Sequence, residues 1–205
     1  SKPDHVNAMR YLALAYRKGE KKLQDSEALL KSATRLAPDF IPAWFDLGSL
    51  LSLRDKRMEA IAAYQKVVQL DPDNAAAWGG LGSAYAVAMY PDKSAEAYAK
   101  SVALKPDVPN VLMGQAHVLK TLGDQAEALK SYRAAIKIKP EFGEVYWSMA
   151  NLKIFQFEEE EVSSMLQQLE SDNLTESEEI HFRFALGKAF EDKKDYEQAW
   201  HYYHT

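Results

Sequence analysis

Cysteine is absent from this chain, and several other signals that would assign a chemistry or a compartment are absent too. The 205 residues contain no Cys, which excludes disulfide scaffolds, thiolate zinc sites and cysteine nucleophiles and fits a cytoplasmic protein. No apolar run approaches the roughly 18 residues that a membrane span needs. No basic patch is present, and the net charge is −5. The sequence therefore argues against a membrane and against nucleic acid, which is bound by clustered cations.

Signs of a catalytic, cofactor or metal site are equally sparse. Ser, His and Asp residues show no spacing that supports a nucleophilic triad. His201 and His204 are one helical turn apart, but no carboxylate or third histidine is placed to complete a metal site. We predict no catalytic residue, no cofactor and no metal for this chain.

Proline recurs at a fixed interval. Each proline of the series lies 34 residues after the previous one, and an acidic residue follows each of them: Pro38, Pro72, Pro106 and Pro140. The residue before a proline is disfavoured in a helix, so each of these steps predicts the end of a helix. A fixed period of this length is the signature of a repeat architecture.

The intervals between these prolines share a second pattern. An aromatic residue, a Leu-Gly pair and a small-x-x-x-Tyr segment recur, as in Trp44-x-x-Leu47-Gly48 with Ala60-x-x-x-Tyr64, Trp78-x-x-Leu81-Gly82 with Ser94-x-x-x-Tyr98, and, more loosely, Ala116 with Ala128-x-x-x-Tyr132. Small residues suit close helix crossings, and large ones fill the space beside them, so Trp44 and Trp78 are expected inside the hairpins. The pattern resembles the tetratricopeptide repeat (TPR) family.

The resemblance implies an all-α fold, a right-handed TPR superhelix of about six helix-turn-helix units in one solenoid. Residues 1–205 divide into units at about 6–40, 41–74, 75–108, 109–142, 143–179 and 180–205. The first unit fits the register if one residue is inserted near Gly19. Thr175-x-x-Glu178 predicts a capping box that opens the sixth unit. That unit stops at Thr205 inside its second helix, so we expect a truncated piece of a larger protein.

The last third carries a narrower resemblance. Residues 147–160 and 181–203, which include Trp147-Ser-Met-Ala-Asn151 and Leu186-Gly187-Lys188-Ala-Phe190, are similar to the TPR region of bacterial TPR–sulfotransferase proteins. The resemblance implies that a sulfotransferase domain using a phosphoadenosine sulfate donor follows this region. This chain has no Gly- and Ser/Thr-rich phosphate loop after a strand, so catalysis in such a parent would lie beyond Thr205.

The TPR resemblance implies a partner groove on the concave face, which the first helix of each unit lines. Candidate groove residues are Phe45, Met113, His117, Trp147, Asn151, Phe155, Phe184 and Lys188, and Ile154 occupies a further slot. Large apolar side chains in such slots either anchor a ligand or pack against neighbouring repeats. Trp147 and Asn151 are the preferred pair, an aromatic anchor beside an amide that can bond a peptide backbone.

The C-terminal helix presents a second candidate surface. Tyr196, Trp200 and Tyr203 lie on one face of the predicted helix, and we expect this docking edge to meet a downstream domain or a second copy of the chain. The favoured function is a protein- or peptide-binding scaffold of a bacterial protein. Two alternatives stay open: a sulfotransferase parent, and an oligomerisation scaffold such as a homodimer.

Overall fold

The computed structural model describes residues 2–16, 20–152, 155–171 and 174–204. Over these residues the chain forms twelve α-helices and no strand, which confirms the all-α prediction. Gly19, Ile154 and Thr205 lie outside the described residues. The helices are α1 (Lys2–Tyr16), α2 (Glu20–Leu36), α3 (Ile41–Leu53), α4 (Arg57–Leu70), α5 (Ala75–Val87), α6 (Pro91–Leu104), α7 (Pro109–Thr121), α8 (Gln125–Ile138), α9 (Gly143–Ala150), α10 (Glu159–Leu169), α11 (Glu176–Asp192) and α12 (Tyr196–His204).

The helices belong to two compact units, residues 1–106 and residues 107–205. In the first unit α1–α2, α3–α4 and α5–α6 pack as hairpins, and each hairpin also packs on the next through α2 with α3 and α4 with α5. In the second unit α7–α8 and α11–α12 form hairpins, while α9 packs on α8 and α11. None of the described helices is long and apolar enough to cross a membrane.

A tyrosine ring pressed against glycine holds the hairpins together. A methyl group on Gly48 would lie 3.0 Å from the ring of Tyr64 in the same hairpin, and one on Gly80 of the next hairpin would lie 2.6 Å from the same ring. Tyr64 is therefore clamped between two glycines and is only 6% exposed. Gly82 holds Tyr98 in the same way. Glycine is required in these helices for close approach of an aromatic ring.

The first hairpin shows the effect of an inserted residue. The Ser26 hydroxyl donates to the carbonyl of Ala13 at 2.8 Å, and the Ser94 hydroxyl donates to the carbonyl of Gly82 at 2.7 Å. The two bonds are equivalent, but the first joins residues 13 apart and the second joins residues 12 apart. This difference agrees with the single extra residue expected in the first unit.

Trp44 and Trp78 differ from their expected place inside the hairpins, because both are only partly buried. The indole N–H of Trp44 donates to the carbonyl of Pro38 at 2.9 Å, and that of Trp78 donates to the carbonyl of Pro72 at 2.7 Å. An indole N–H must keep a partner when its ring is covered. The repeated proline supplies this partner, so each tryptophan ties its helix to the preceding turn.

Helix α9 is shorter than the repeat predicts. The 34-residue register would carry α9 to residue 155, as α7 runs to Thr121, but α9 ends at Ala150 with Asn151 as its C-cap. The chain then folds inward, because Phe155 and Phe157 are buried and pack edge to face at 4.7 Å. Phe157 also stacks on Tyr146 at 6.5 Å. Burial of the two rings replaces the last turn of the helix.

Arg133 of α8 fixes the segment that follows. Its guanidinium meets Glu158 at 2.6 Å and Glu161 at 2.7 Å, and lies 5.7 Å from the centre of the Phe155 ring. Glu158 and Glu161 form a capping box at the start of α10. Glu158 and Glu161, at the start of α10, therefore have a structural role.

Candidate protein-binding surface

Three aromatic rings form a continuous exposed row on the second unit, which we call the aromatic surface: Trp147 of α9, Phe184 of α11 and Tyr203 of α12. The ring centres of Trp147 and Phe184 are 6.3 Å apart, and those of Phe184 and Tyr203 are 5.8 Å apart. The three side chains are 41%, 36% and 42% exposed. Most large apolar side chains of the unit are buried or partly buried, so the exposed row offers ready-made apolar area to a partner.

The helical periodicity of α9 and α11 directs these rings outward. Val145, Tyr146 and Met149 are buried and face the core, which leaves Trp147 on the opposite side of α9. Phe182 and Leu186 bury the inner side of α11 and leave Phe184 outside. Gly143 permits the close contact between the two helices, because a methyl group there would lie 2.9 Å from the backbone oxygen of Glu178.

Sequence reasoning missed His181. Its imidazole lies beside Trp147, with ring centres 5.8 Å apart, and it is half-buried. His181 precedes Phe184 by three residues on α11, so both side chains reach the same face of the helix. That spacing was the available signal.

A pocket of about 610 Å³ opens where α9 stops. The side-chain amide N–H of Asn151 donates to the carbonyl of Trp147 at 2.7 Å, and Lys188 forms an ion pair with Asp192 of α11. Polar side chains thus line part of this opening. The lining residues are Ala150, Asn151, Leu152, Phe155, Gln156, Lys188 and Asp192.

Phe155 differs from its predicted groove position. We expected it to project from the last turn of the first helix of its unit, but no helix extends to this residue. Its side chain is only 9% exposed and packs against Phe157. Phe155 forms a wall of the pocket and is not an exposed anchor.

Met113 and His117 lie on α7, and both are partly buried. The Nε2 atom of His117 is 3.2 Å from the Ser148 hydroxyl, and its ring meets Tyr132 edge to face at 5.6 Å. Burial lowers the pKa of His117 despite the nearby carboxylate of Glu144, and Lys120 acts in the same direction as burial. His117 therefore joins α7 to α8 and α9.

Phe45 is a candidate groove residue of the first unit, whereas the other candidates belong to the second unit. Its ring packs edge to face on Tyr64, with centres 5.8 Å apart, and it is partly buried against the core. The aromatic surface consists of residues of the second unit, and Phe45 is not one of them.

The docking edge is exposed on α12, where Tyr196 is 67% and Trp200 is 64% accessible. The ring of Trp200 stacks on His204 at 3.4 Å. Tyr203 belongs to the docking edge and to the aromatic surface, and its hydroxyl donates to Glu191 at 3.2 Å. Burial and the neighbouring Glu191 raise the pKa of Tyr203 to about 12. Within the described part of the chain, no three His, Cys, Asp or Glu residues cluster as a metal site.

Comparisons with known proteins identify the repeat. Residues 58–86 match a family model described as a TPR repeat, and residues 109–142 match one described as a tetratricopeptide repeat. The TPR repeats predicted from the sequence are therefore confirmed. No curated protein matches the chain at a significant level.

Solved structures agree on the fold. A crystal structure of MamA protein has a TM-score of 0.68 at 21% identity, with 94% of this chain and 95% of that chain covered. The crystal structure of YrrB, entitled a TPR protein with an unusual peptide-binding site, has a TM-score of 0.63 at 15% identity over 96% of this chain and 88% of that chain. The structure of MamA from Desulfovibrio magneticus RS-1, residue 41 to the end, has a TM-score of 0.61 at 19% identity. The match covers 67% of this chain and 77% of that chain. At these identities the likeness shows the fold alone.

Proposed function

We propose that this array of TPR hairpins is a scaffold that binds a protein or peptide partner on the aromatic surface of its second unit. The observation that carries the proposal is the unbroken row of Trp147, Phe184 and Tyr203, exposed beside the pocket at the end of α9. Aromatic anchors within a polar rim are the composition of protein interfaces that bind tightly.

The chemistry of the surface favours an extended segment with at least one large apolar side chain. The three rings supply apolar contact over a distance longer than one side chain, and the adjoining pocket adds Asn151, Lys188 and Asp192. A peptide backbone needs partners for its N–H and C=O groups when it leaves water. The amide of Asn151 and the ion pair of Lys188 provide donors and acceptors next to the apolar row. YrrB, whose published title names a peptide-binding site, has the same type of fold.

Selection of a peptide library on the full chain, followed by affinity measurement on the selected peptide, tests this proposal. Trp147→Ala/Phe184→Ala should weaken binding at least tenfold, since central aromatic anchors contribute about 2 kcal/mol or more. The matched control is Tyr11→Ala/Met58→Ala, which removes two apolar side chains of the first unit that are each 62% exposed. Equal affinity of both double variants for every selected peptide would refute the site.

A second candidate function is self-association through the docking edge. Tyr196 and Trp200 are among the most exposed aromatic side chains of the described chain, and they lie one helical turn apart. Light scattering over a concentration series should show a rising mass that Tyr196→Ser/Trp200→Ser abolishes. A constant monomer mass at high concentration would remove this candidate.

The sulfotransferase parent is a separate proposal, supported only by the resemblance of residues 147–160 and 181–203. It requires the reading frame to continue beyond Thr205 into a strand and a phosphate-binding loop. It also requires that the chain of 205 residues has no affinity of its own for the adenosine donor, which calorimetry measures. A parent gene without such a loop would eliminate it.

A further inference from the structure

A cleft on the first unit carries a charge pattern that the proposed function does not use. It measures about 670 Å³ and lies between α4 and α6, with α5 as its floor. Two aromatic residues of α5, Trp78 and Tyr85, line it together with Lys66 of α4 and Lys93 and Lys100 of α6. We call these five residues the basic cleft. One carboxylate, Glu96, faces the three ammonium groups.

Two of the three lysines of the basic cleft contact aromatic rings in place of acids, and the third, Lys66, donates to the side-chain oxygen of Gln69. The Nζ of Lys100 lies 4.2 Å from the ring centre of Trp78, and that of Lys93 lies 5.8 Å from the ring centre of Tyr85. Among the described residues, none of the three lysines forms an ion pair within 4.0 Å. The cleft is therefore a region of local positive charge in a chain whose net charge is −5.

The equivalent cleft one repeat earlier shows the contrast. It lies between α2 and α4 beside Trp44, and it has a volume of about 500 Å³. There Lys31 is neutralised by Glu59 at 2.6 Å and by Glu27 at 2.7 Å. Glu59 and Lys93 occupy the same position of successive repeats, 34 residues apart. The basic cleft therefore has a cation where its counterpart has the neutralising acid.

The spacing of the cations defines the ligand. Lys93 and Lys100 are seven residues apart on α6, which is about 10 Å along a helix. Trp78 and Tyr85 are also seven residues apart on α5, so two aromatic–lysine pairs follow the cleft at the same interval. An extended peptide in the polyproline II conformation has three residues per turn and rises about 3.1 Å per residue, so side chains three positions apart lie on the same side, about 9 Å apart. A single phosphate would need cations that converge on one point, and these do not.

We infer that the basic cleft is a second binding site, which takes an extended acidic segment of a partner protein with carboxylates three residues apart. The carboxylates pair with Lys93 and Lys100, and Lys66 adds positive charge on the opposite wall. The aromatic floor of Trp78 and Tyr85 packs under the intervening backbone and side chains. The site lies in a different unit from the aromatic surface and does not depend on it.

Fluorescence anisotropy with a defined probe tests the inference on the full chain. The probe is a fluorescein-labelled peptide of about twelve residues that carries Glu at every third position among Ala, Leu and Ser; its counterpart has Gln at each Glu. Lys93→Gln/Lys100→Gln should weaken binding of the acidic peptide roughly three- to tenfold, as expected for two exposed ion pairs. Binding should also weaken as salt is raised. Circular dichroism checks that both lysine variants fold.

The matched control is Lys105→Gln/Lys137→Gln, which removes the same charge from exposed lysines that do not line the cleft. It should bind the acidic peptide as the unaltered chain does, and so should Trp147→Ala/Phe184→Ala. Equal weakening by the control would show a general charge effect and overturn the inference. Equal binding of the Gln peptide, or tighter binding of a single-stranded oligonucleotide of matched charge, would also overturn it.

Discussion

At the residue scale, the tyrosine–glycine contacts make opposite predictions for two helical glycines. Gly80→Ala should destabilise the chain by about 1–3 kcal/mol, because its new methyl group meets a Tyr64 ring that Gly48 already confines. Gly187→Ala meets the ring of Tyr203, which is 42% exposed and can turn away. Its stability should stay within about 1 kcal/mol of the parent chain, since alanine is the better helix former.

Urea unfolding of the two variants measures this difference. Tyr64→Leu combined with Gly80→Ala is the control, because the smaller side chain vacates the space and should recover part of the loss. An equal loss for Gly80→Ala and Gly187→Ala would mean that confinement of the ring does not set the cost.

The tryptophans separate a structural role from a binding role. Trp44→Ala removes a partly buried ring and its hydrogen bond to Pro38, so we expect a loss of about 2–3 kcal/mol. Trp147→Ala removes a ring that is 41% exposed, and we expect it to lower the free energy of unfolding by only about 1 kcal/mol. Chemical denaturation gives both values. A larger loss for Trp147→Ala would assign it to the core and remove it from the aromatic surface.

His117 makes the stability of the second unit depend on pH. Burial lowers its pKa in the folded state, so below the ordinary value of 6.5 the unfolded chain binds a proton that the folded chain resists. The stability that depends on unprotonated His117 is complete above pH 6.5 and is lost as the pH falls below that value. His117→Gln should flatten the stability profile below pH 6.5. An unchanged slope in this variant would assign the dependence to other groups.

At the scale of the helix, the capping box of α11 was predicted from four residues and is present. The Thr175 hydroxyl accepts from the backbone N–H of Glu178, whose carboxylate accepts from the backbone N–H of Thr175 at 2.9 Å. Thr175→Ala should cost about 1 kcal/mol. The control is Thr121→Ala, whose hydroxyl donates to the carbonyl of His117 in the same helix. This substitution should change the stability by less than about 0.5 kcal/mol.

The same box has a pH signature. Hydrogen bonds from the Thr175 backbone and hydroxyl lower the pKa of the Glu178 carboxyl below its ordinary 4.5. The stability it contributes is therefore complete above pH 4.5 and is lost as the pH falls through the lower folded value. Acid titration of the helical signal should show a shallower slope below pH 4.5 in Glu178→Gln, which keeps an acceptor for the box but removes the titrating carboxyl. An identical slope would contradict the role of Glu178.

Helix α9 shows where the sequence pattern stops being informative. The repeat begins at Gly143 as expected, and apolar spacing alone continues through Phe155. The end of α9 depends on burial of Phe155 and Phe157 and on Arg133, whose partners Phe155, Glu158 and Glu161 lie more than 20 positions away in the sequence. Such long-range contacts leave no local signal. The pocket beside Asn151 could not be predicted for the same reason.

At the scale of the molecule, the first unit should fold alone. Residues 1–106 contain three stacked hairpins, which is the number at which repeat arrays become stable. The isolated fragment should give a helical circular dichroism spectrum and a cooperative urea transition. Residues 1–74, which lack α5 and α6 and expose Tyr64, serve as the comparison and should unfold more readily. A non-cooperative transition for residues 1–106 would contradict this expectation.

The fold class could be predicted from the sequence because each repeat contains the same local residue pattern. Proline, glycine and tyrosine recur at fixed spacing, and their contacts lie within one hairpin and its neighbour. The binding surfaces did not follow as directly. Trp147 and Phe184 are 37 positions apart, and their contact depends on the shortened α9 and on the close approach at Gly143.

The position of Tyr64 has a consequence for how such a chain grows. It lies sixteen residues after Gly48 and sixteen residues before Gly80, so both contacts of the ring are fixed by distance along the chain. In-frame duplication of residues 48–81 regenerates both spacings, because the copied block carries Gly48, Tyr64 and Gly80 together. A single-residue insertion between Tyr64 and Gly80 disturbs one contact and leaves the other intact. The chain can therefore lengthen by whole hairpins during evolution without a new interface having to arise.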